Sequence, residues 1–312
     1  MKIGQNFPNG KQSGLLLRVF AYILRKFDNR PLSLPNDLDT YQHEQIADIR
    51  SANQPKVSIV IPTRDKATLL SRCLDSIREK TDYSNYEIII VNNLSEEPTT
   101  RSLLENYREN GITVIDFAEP FNYSKICNFA ASQSTGDFLC FLNNDTEVIS
   151  KNWLSSMVEH ASKNDIGVVG ALLTYPEGTI QHMGIALGYK GVAGHPYRGY
   201  NPIDCLPSGC YEVSGSTFAC AMISKAKFSE LGGLDEKFPV GFNDVDFCIR
   251  STSAGFRNIM CLEARLTHVE SQTRKRTLTF SGAIQGTKDV LSFLRVNRTN
   301  FEERFFSAQA SE

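Results

Sequence analysis

A chain of 312 residues with 41% hydrophobic residues can build one large α/β domain, or two smaller ones, around a sizeable core. Its formal net charge of −2 excludes a polyanion binder, which would carry a basic excess, so no nucleic-acid partner is expected. No apolar run approaches the ~18 residues of a membrane-crossing helix, and residues 1–12 are too polar for a cleavable leader.

The first 54 residues differ from the rest. Leu16, Phe20, Ile23, Leu24 and Phe27 recur at helical spacing with Arg18, Arg25 and Lys26 between them. Leu15–Phe27 could therefore make peripheral contact with an anionic membrane surface, or pack as a helix on the main domain. Pro31 and Pro35 break the chain, and a polar stretch leads to Gln54-Pro55.

From Lys56 short apolar runs alternate with amphipathic segments. Val57–Ile61 reads as a strand, and Leu69, Leu70, Cys73, Leu74 and Ile77 as one helical face. Glu87–Val91 and Ile112–Phe117 read as strands flanking a helix near Thr100–Tyr107, and a helix over Ser124–Ser134 leads to the strand Phe138–Leu142. Unbroken runs such as Ile-Ile-Ile-Val suit strands covered on both faces, so these units predict a doubly wound, mostly parallel sheet flanked by helices. Residues 55–160 form the first half of the expected domain and 161–275 the second, with a helical tail over 276–312. In the second half, Ile166–Leu173, Ile180–Gly188, Val213–Ile223 and Arg257–Leu262 read as strands. The irregular stretch Gly188–Gly209 reads as a functional loop that could order as a lid. The eight cysteines sit mostly in apolar runs with no CxxC pair, which suits free thiols in a reduced, cytoplasmic compartment.

Ligands of open parallel sheets bind beyond the carboxyl ends of the strands. Here those ends read Pro62-Thr63-Arg64-Asp65, Asn92-Asn93-Leu94-Ser95 and Asn143-Asn144-Asp145-Thr146-Glu147. Turns are commonly polar, but three in a row at one edge suit a nucleotide. Asp145, just past a buried strand, could share a hard cation with phosphate oxygens; as a cap for the helix near Asn152 it sits several residues early. Asp244 falls where a helix should start, with Val245, Cys248, Ile249 and Thr252 inward and Gly255 at its end. It is either an N-cap or, at an exposed lip, a base for a sugar hydroxyl. Asp246 reads as a first-turn charge paired with Arg250. His268 is either structural or, as neutral imidazole, a ligand for manganese or magnesium.

These residues resemble the family 2 glycosyltransferases, an inverting group with the GT-A fold, a Rossmann-like nucleotide-diphospho-sugar transferase architecture. The resemblance covers roughly Val57–Ser271. Val57–Thr63 is similar to the family's opening strand, Glu87–Ser95 to its base-binding turn and Phe138–Glu147 to its metal-binding DxD strand. Gly232-Gly-Leu-Asp-Glu236 with Asn243–Arg250 is similar to its GGLDE and ED regions. The resemblance implies Asp244 as catalytic base and Mn2+ or Mg2+ held by Asp145 and His268. It places the donor, a nucleotide-diphosphate sugar, on Pro62, Thr63, Asp65, Asn93, Asn144 and Asp145. The acceptor would be a glycan or lipid-linked glycan, and Asn-Asn-Asp-Thr-Glu is similar to rhamnosyltransferase-type enzymes of bacterial surface polysaccharides. Three positions depart from the pattern: Asn143 in DxD, Asn92 or Asn93 for the base-binding aspartate, and Asn243 in ED. They keep a second expectation open, a catalytically silent sugar-nucleotide-binding or scaffold protein.

Overall fold

The computed structural model describes residues 54–187, 193–201 and 209–269. The N-terminal segment Leu15–Phe27, the tail after Arg276 and the basic cluster Arg274–Arg276 lie outside the described residues.

In chain order the elements are β1 (Val57–Thr63), α1 (Ala67–Lys80), β2 (Tyr86–Asn92), α2 (Pro98–Glu109), β3 (Thr113–Asp116), α3 (Tyr123–Gln133), β4 (Phe138–Leu142), β5 (Thr146–Val148) and α4 (Trp153–Ala161). There follow β6 (Ile166–Thr174), β7 (Ile180–His182), β8 (Ala186–Leu187), β9 (Ala193–Gly194), β10 (Cys210–Val213), β11 (Cys220–Ser224), α5 (Lys225–Glu230), α6 (Asn243–Ser253) and β12 (Arg257–His268). The main path of the large sheet runs β10-β12-β6-β11-β4-β1-β2-β3. Along it all strands point one way except β10 and β11, which run antiparallel to their neighbours. The expected mixed α/β architecture, a mostly parallel sheet flanked by helices, is therefore present.

Burial explains why the apolar runs read as covered strands. All of β4 and all of β6 are buried, and the sheet separates two clusters. One joins Ile59, Ile61 and Cys140 to Leu70, Leu74 and Ile77 of α1 and Trp153 of α4. The other joins Val60, Leu139 and Phe141 to Ile126 of α3, Phe228 of α5 and Phe247 of α6. Burying one such side chain is worth about 1.5–3 kcal/mol, so alternate residues of one strand hold both helical layers.

Three strand boundaries differ from the expectation. The segment read as Ile180–Gly188 breaks into β7 and β8 because Gly184 adopts φ 100°, and Ile185 donates its N–H to Gly215 O instead. Val213–Ile223 is two strands, β10 and β11, separated by the turn Ser214–Ala219. β12 extends to His268, twice the expected length, with a register shift between Cys261 and Arg265. Within the stretch read as a lid, residues 193–201 dock on β7: Gly199 N–H donates to Ile180 O and Ile180 N–H to Tyr200 O. Its remaining residues lie outside the described set.

Candidate active site

The first three strand ends are tied into one rim. β1 and β2 pair in parallel with Thr63 opposite Asn92, and the Asn93 N–H donates to Thr63 O at 2.8 Å. Asn144, after β4, donates from Nδ2 to Thr63 Oγ1 at 2.8 Å, so Thr63 links the ends of β2 and β4. Pro62 sits half-buried opposite Val91.

Asp65 serves this rim through backbone. Its Oδ1 accepts the N–H groups of Glu96 (2.7 Å) and Glu97 (2.9 Å), just ahead of α2, and its own N–H donates to Ser95 Oγ (2.9 Å). A carboxylate there satisfies donors at a helix entrance that otherwise lack partners. It adopts φ 57° to do so. The structure gives Asp65 the work of holding two loops together.

Asn92 and Asn93, equivalent in the sequence, differ in the fold. Asn92 is spent on the turn, donating to Asp116 Oδ1 and accepting the Ser95 N–H. Asn93 is 1% exposed and donates from Nδ2 to Phe117 O (3.0 Å) and Glu119 O (2.8 Å). Those two carbonyls fix the amide orientation, since the flipped form would face oxygen with oxygen. Asn93 Oδ1 is left buried with no partner, a costly state for a polar atom.

Asp145 and His268 meet across more than a hundred residues because β5, which starts at Thr146, zips antiparallel onto the end of β12 with Thr146 opposite His268. Val269 N–H closes the pairing on Asp145 O. His268 Nε2 lies 3.1 Å from Asp145 Oδ1, with both side chains about nine-tenths buried. Gln181 grips the other side of the ring: its Nε2 donates to His268 O (3.0 Å), which turns its Oε1 onto His268 Nδ1 (2.6 Å). The carbonyl oxygen can only accept, so Nδ1 carries a proton, and in the neutral ring Nε2 is the nitrogen that faces the carboxylate with a lone pair, 3.3 Å from Asn143 Nδ2. Two electron-rich atoms this close need a positive centre between them, a proton or a metal ion. One imidazole and one carboxylate, with phosphate and water oxygens completing the shell, suit Mn2+ or Mg2+.

Asp244 lies in the first turn of α6, one residue inside the start; Phe242, at φ 64°, holds the N-cap position. Its Oδ1 accepts the Val245 N–H at 2.8 Å. The expected exposed lip is corrected: Asp244 is half-buried, and removal of its carboxyl from water raises its pKa. Val245 N–H, the neighbouring His195 and the Thr217 hydroxyl act against that rise. Asp246 is buried and bonded to Arg250 Nε at 2.9 Å, as read from the spacing; Arg250 also donates to Gly233 O (2.9 Å), anchoring α6 to the Gly232-Gly233 turn.

The sequence reading missed five residues here: Gln181, His182, His195, Ser216 and Thr217. Gln181 positions His268. His182, 1% exposed, contacts His195 (Nδ1 to Nδ1, 2.8 Å) and Ser216 Oγ (3.0 Å), and accepts the Thr217 N–H (3.3 Å). Gln181 and His182 thus join the Asp145–His268 pair to the turn that carries Thr217 to Asp244. A polar pair inside an apolar strand was the available signal, and a three-residue strand has no periodicity to reinforce it. A separate cavity lined by Arg78, Tyr83, Tyr86, Glu87 and Thr113 lies at the opposite, amino-terminal edge of the sheet, away from all of these groups.

Comparison with known proteins bears on the fold and the family. The chain is 39% identical over 227 residues to the O-antigen biosynthesis protein RfbC of Myxococcus xanthus, covering 71% of this chain and 18% of that protein. Its fold matches GalNAc-T7, solved with UDP, GalNAc and Mn2+, at TM-score 0.59 and 17% identity, over 70% of this chain and 44% of the other. It also matches the mannosyltransferase PcManGT of Pyrobaculum calidifontis, solved with GDP-Man and Mn2+, at TM-score 0.57 and 17% identity, over 92% and 72% of the two chains. The fold is therefore GT-A. The family model for glycosyl transferase family 2 matches residues 58–232, more than half of the chain, and the protein belongs to that family.

Proposed function

We propose that residues 55–275 form a metal-dependent, inverting glycosyltransferase that moves a sugar from a nucleoside diphosphate donor to a hydroxyl of an acceptor glycan. The observation that carries this reading is the Asp145–His268 pair, held 3.1 Å apart at the carboxyl edge of the sheet with Gln181 fixing the ring. Donor binding falls to the rim of the first half: Pro62 and Thr63 beneath the nucleoside, Asp65 holding the loops, and Asn93 offering its unpartnered Oδ1 to an N–H of the base. Asn144 and Asp145 face the diphosphate.

Asp244 accepts the proton of the acceptor hydroxyl as its oxygen bonds to the anomeric carbon. The bond from that carbon to the phosphate oxygen breaks, and its electron pair leaves with the nucleoside diphosphate. A raised pKa makes Asp244 a stronger base than an ordinary carboxylate. A bound Mn2+ or Mg2+ would supply Lewis-acid stabilisation of the diphosphate leaving group. Gln181 keeps the His268 proton on Nδ1, so Nε2 and Asp145 stay available as donors.

The relative in Myxococcus xanthus carries an O-antigen name, which supports a bacterial cell-surface polysaccharide as the acceptor class, while free cysteines suit a cytoplasmic site of action. The rhamnosyltransferase-like string Asn143–Glu147 supports a hexosyl or rhamnosyl donor, with a lipid-linked glycan as an acceptor to try. No helix among the described residues is long and apolar enough to cross a membrane. Peripheral attachment would therefore fall to Leu15–Phe27.

The test is a panel of uridine, guanosine and thymidine diphosphate sugars with candidate acceptors, scored for nucleoside diphosphate release with Mn2+, Mg2+ or chelator. Chelator-sensitive release from one donor, lost in Asp145→Ala, is expected. Donor binding without release under every condition would overturn the enzymatic reading in favour of a silent binder.

A further inference from the structure

A second cluster of metal-ligating side chains lies apart from the donor rim. His160 from the last turn of α4, Cys210 at the start of β10, and Cys261 and Glu263 of β12 each bring a ligand atom to one point, with all four atoms within 4.8 Å of one another. Three elements distant in sequence converge there, and the backbone is shaped to bring them together. β10 and β12 pair antiparallel with Cys210 directly opposite Cys261, which sets the two thiols side by side. β12 then leaves its register with β6 between Cys261 and Arg265, and Glu263 sits in that irregularity. Ser150 Oγ fixes it from both sides, donating to Glu263 O at 2.6 Å and accepting the Arg265 N–H at 2.9 Å. Cys261 Sγ already lies 3.6 Å from Glu263 Oε2.

We propose that His160, Cys210, Cys261 and Glu263 form a structural site for a thiophilic divalent cation, zinc by its chemistry. Two thiolates, an imidazole and a carboxylate are a closed four-ligand set for tetrahedral zinc and a poor one for Mg2+ or Ca2+. Metal–sulfur bonds of about 2.3 Å and metal–nitrogen bonds of about 2.0 Å place ligands roughly 3.3–3.8 Å apart, so the four atoms close in by about 1.5 Å or less. Loading releases the two thiol protons to solvent. Lys163 Nζ lies 3.4 Å from His160 Nδ1 and has a flexible stem that can swing towards water as the cation enters. Cys261 is buried while the other three are half-buried, which leaves an entry path on one side. The cation would clamp the end of α4 and the point where the chain re-enters the sheet at β10, independently of the sugar-transfer chemistry.

The experiment uses the full chain, purified with reductant and without chelator. Elemental analysis should find about one zinc per chain, retained in Asp145→Ala and lost in Cys210→Ser/Cys261→Ser. Cobalt(II) exchanged into the wild type should show thiolate-to-metal charge-transfer absorption and the intense visible bands of a tetrahedral site. Asp145 and His268 contain no sulfur and cannot produce the former, so failure of the donor-site reading leaves this result untouched. The cobalt arm needs no variant and stands even if the double substitution unfolds. Zinc content unchanged by the cysteine substitutions in folded protein, absence of the cobalt–thiolate band under reductant, or a Cys210–Cys261 disulfide persisting in reductant would each overturn the proposal.

Discussion

Asp244 is a carboxylate drawn partly out of water, bonded to a backbone N–H and a hydroxyl and influenced by the charge of a nearby histidine. Desolvation dominates and raises its pKa, so the group takes up its proton at a higher pH than an exposed aspartate. A base is active only when deprotonated, so kcat/KM should fall on acidification in a limb lying above that of an exposed aspartate. Asp244→Asn should lower kcat by about 10²–10⁴-fold with donor affinity near wild type, read by product release and calorimetry. Retained turnover would remove Asp244 from the role of base. Gln181 makes the complementary case for a residue acting through another. Gln181→Leu frees the His268 ring to place its proton on Nε2, facing Asp145. Metal affinity measured with Mn2+ and nucleoside diphosphate should weaken about 10–100-fold, while the affinity for nucleoside diphosphate without metal stays unchanged. At this scale Asp145, His268 and Asp244 could be singled out as candidates from the sequence because they stand at strand and helix ends. Gln181 and Thr217 were not legible, since their roles depend on which side chain the fold sets against them.

At the level of elements, the donor-side strands and helices were readable almost to their ends. Continuous apolar runs such as those of β4 and β6 mark strands covered on both faces, and α1 carries a clear buried stripe. The shorter elements around the second half of the site were not, because β5, β7, β8 and β9 are two or three residues long and owe their conformation to partners distant in sequence. The Ser214–Ala219 turn belongs to this class and is held by close packing on β6. A Cβ added at Gly170 would run into the Ser216 side chain and press on Met260. Gly170→Ala should therefore cost about 1–3 kcal/mol, read as a lower urea midpoint with unchanged slope. It should also depress kcat, because Ser216 bonds His182 and precedes Thr217. Gly111→Ala provides the contrast: φ is 80° there with nothing within 4 Å, at the amino-terminal edge of the sheet. Backbone strain should cost about 1 kcal/mol without a specific loss of turnover.

Across the whole molecule, the sheet divides labour at one edge: β1, β2 and β4 end at the nucleotide rim, while β5, β7 and β12 bring Asp145, Gln181 and His268 together beside it. Among the described residues, Asp145 and His268 are the two side chains proposed to hold the cation, so the metal ion alone should bind weakly and the nucleoside diphosphate should complete its shell. Ligands that bind the native state raise its stability by about 2.7 kcal/mol at a hundredfold excess over Kd. Mn2+ alone and the matching nucleoside diphosphate alone should each shift Tm little. Together they should raise it by more than the sum, because each supplies ligands or charge that the other needs. Asp145→Ala should abolish the synergy while keeping the small shift from the nucleotide, which rests on Thr63 and Asn93. Thermal unfolding of wild type and variant across these four conditions measures the coupling directly. Strictly additive shifts in the wild type would mean that metal and diphosphate do not share a site at Asp145 and His268.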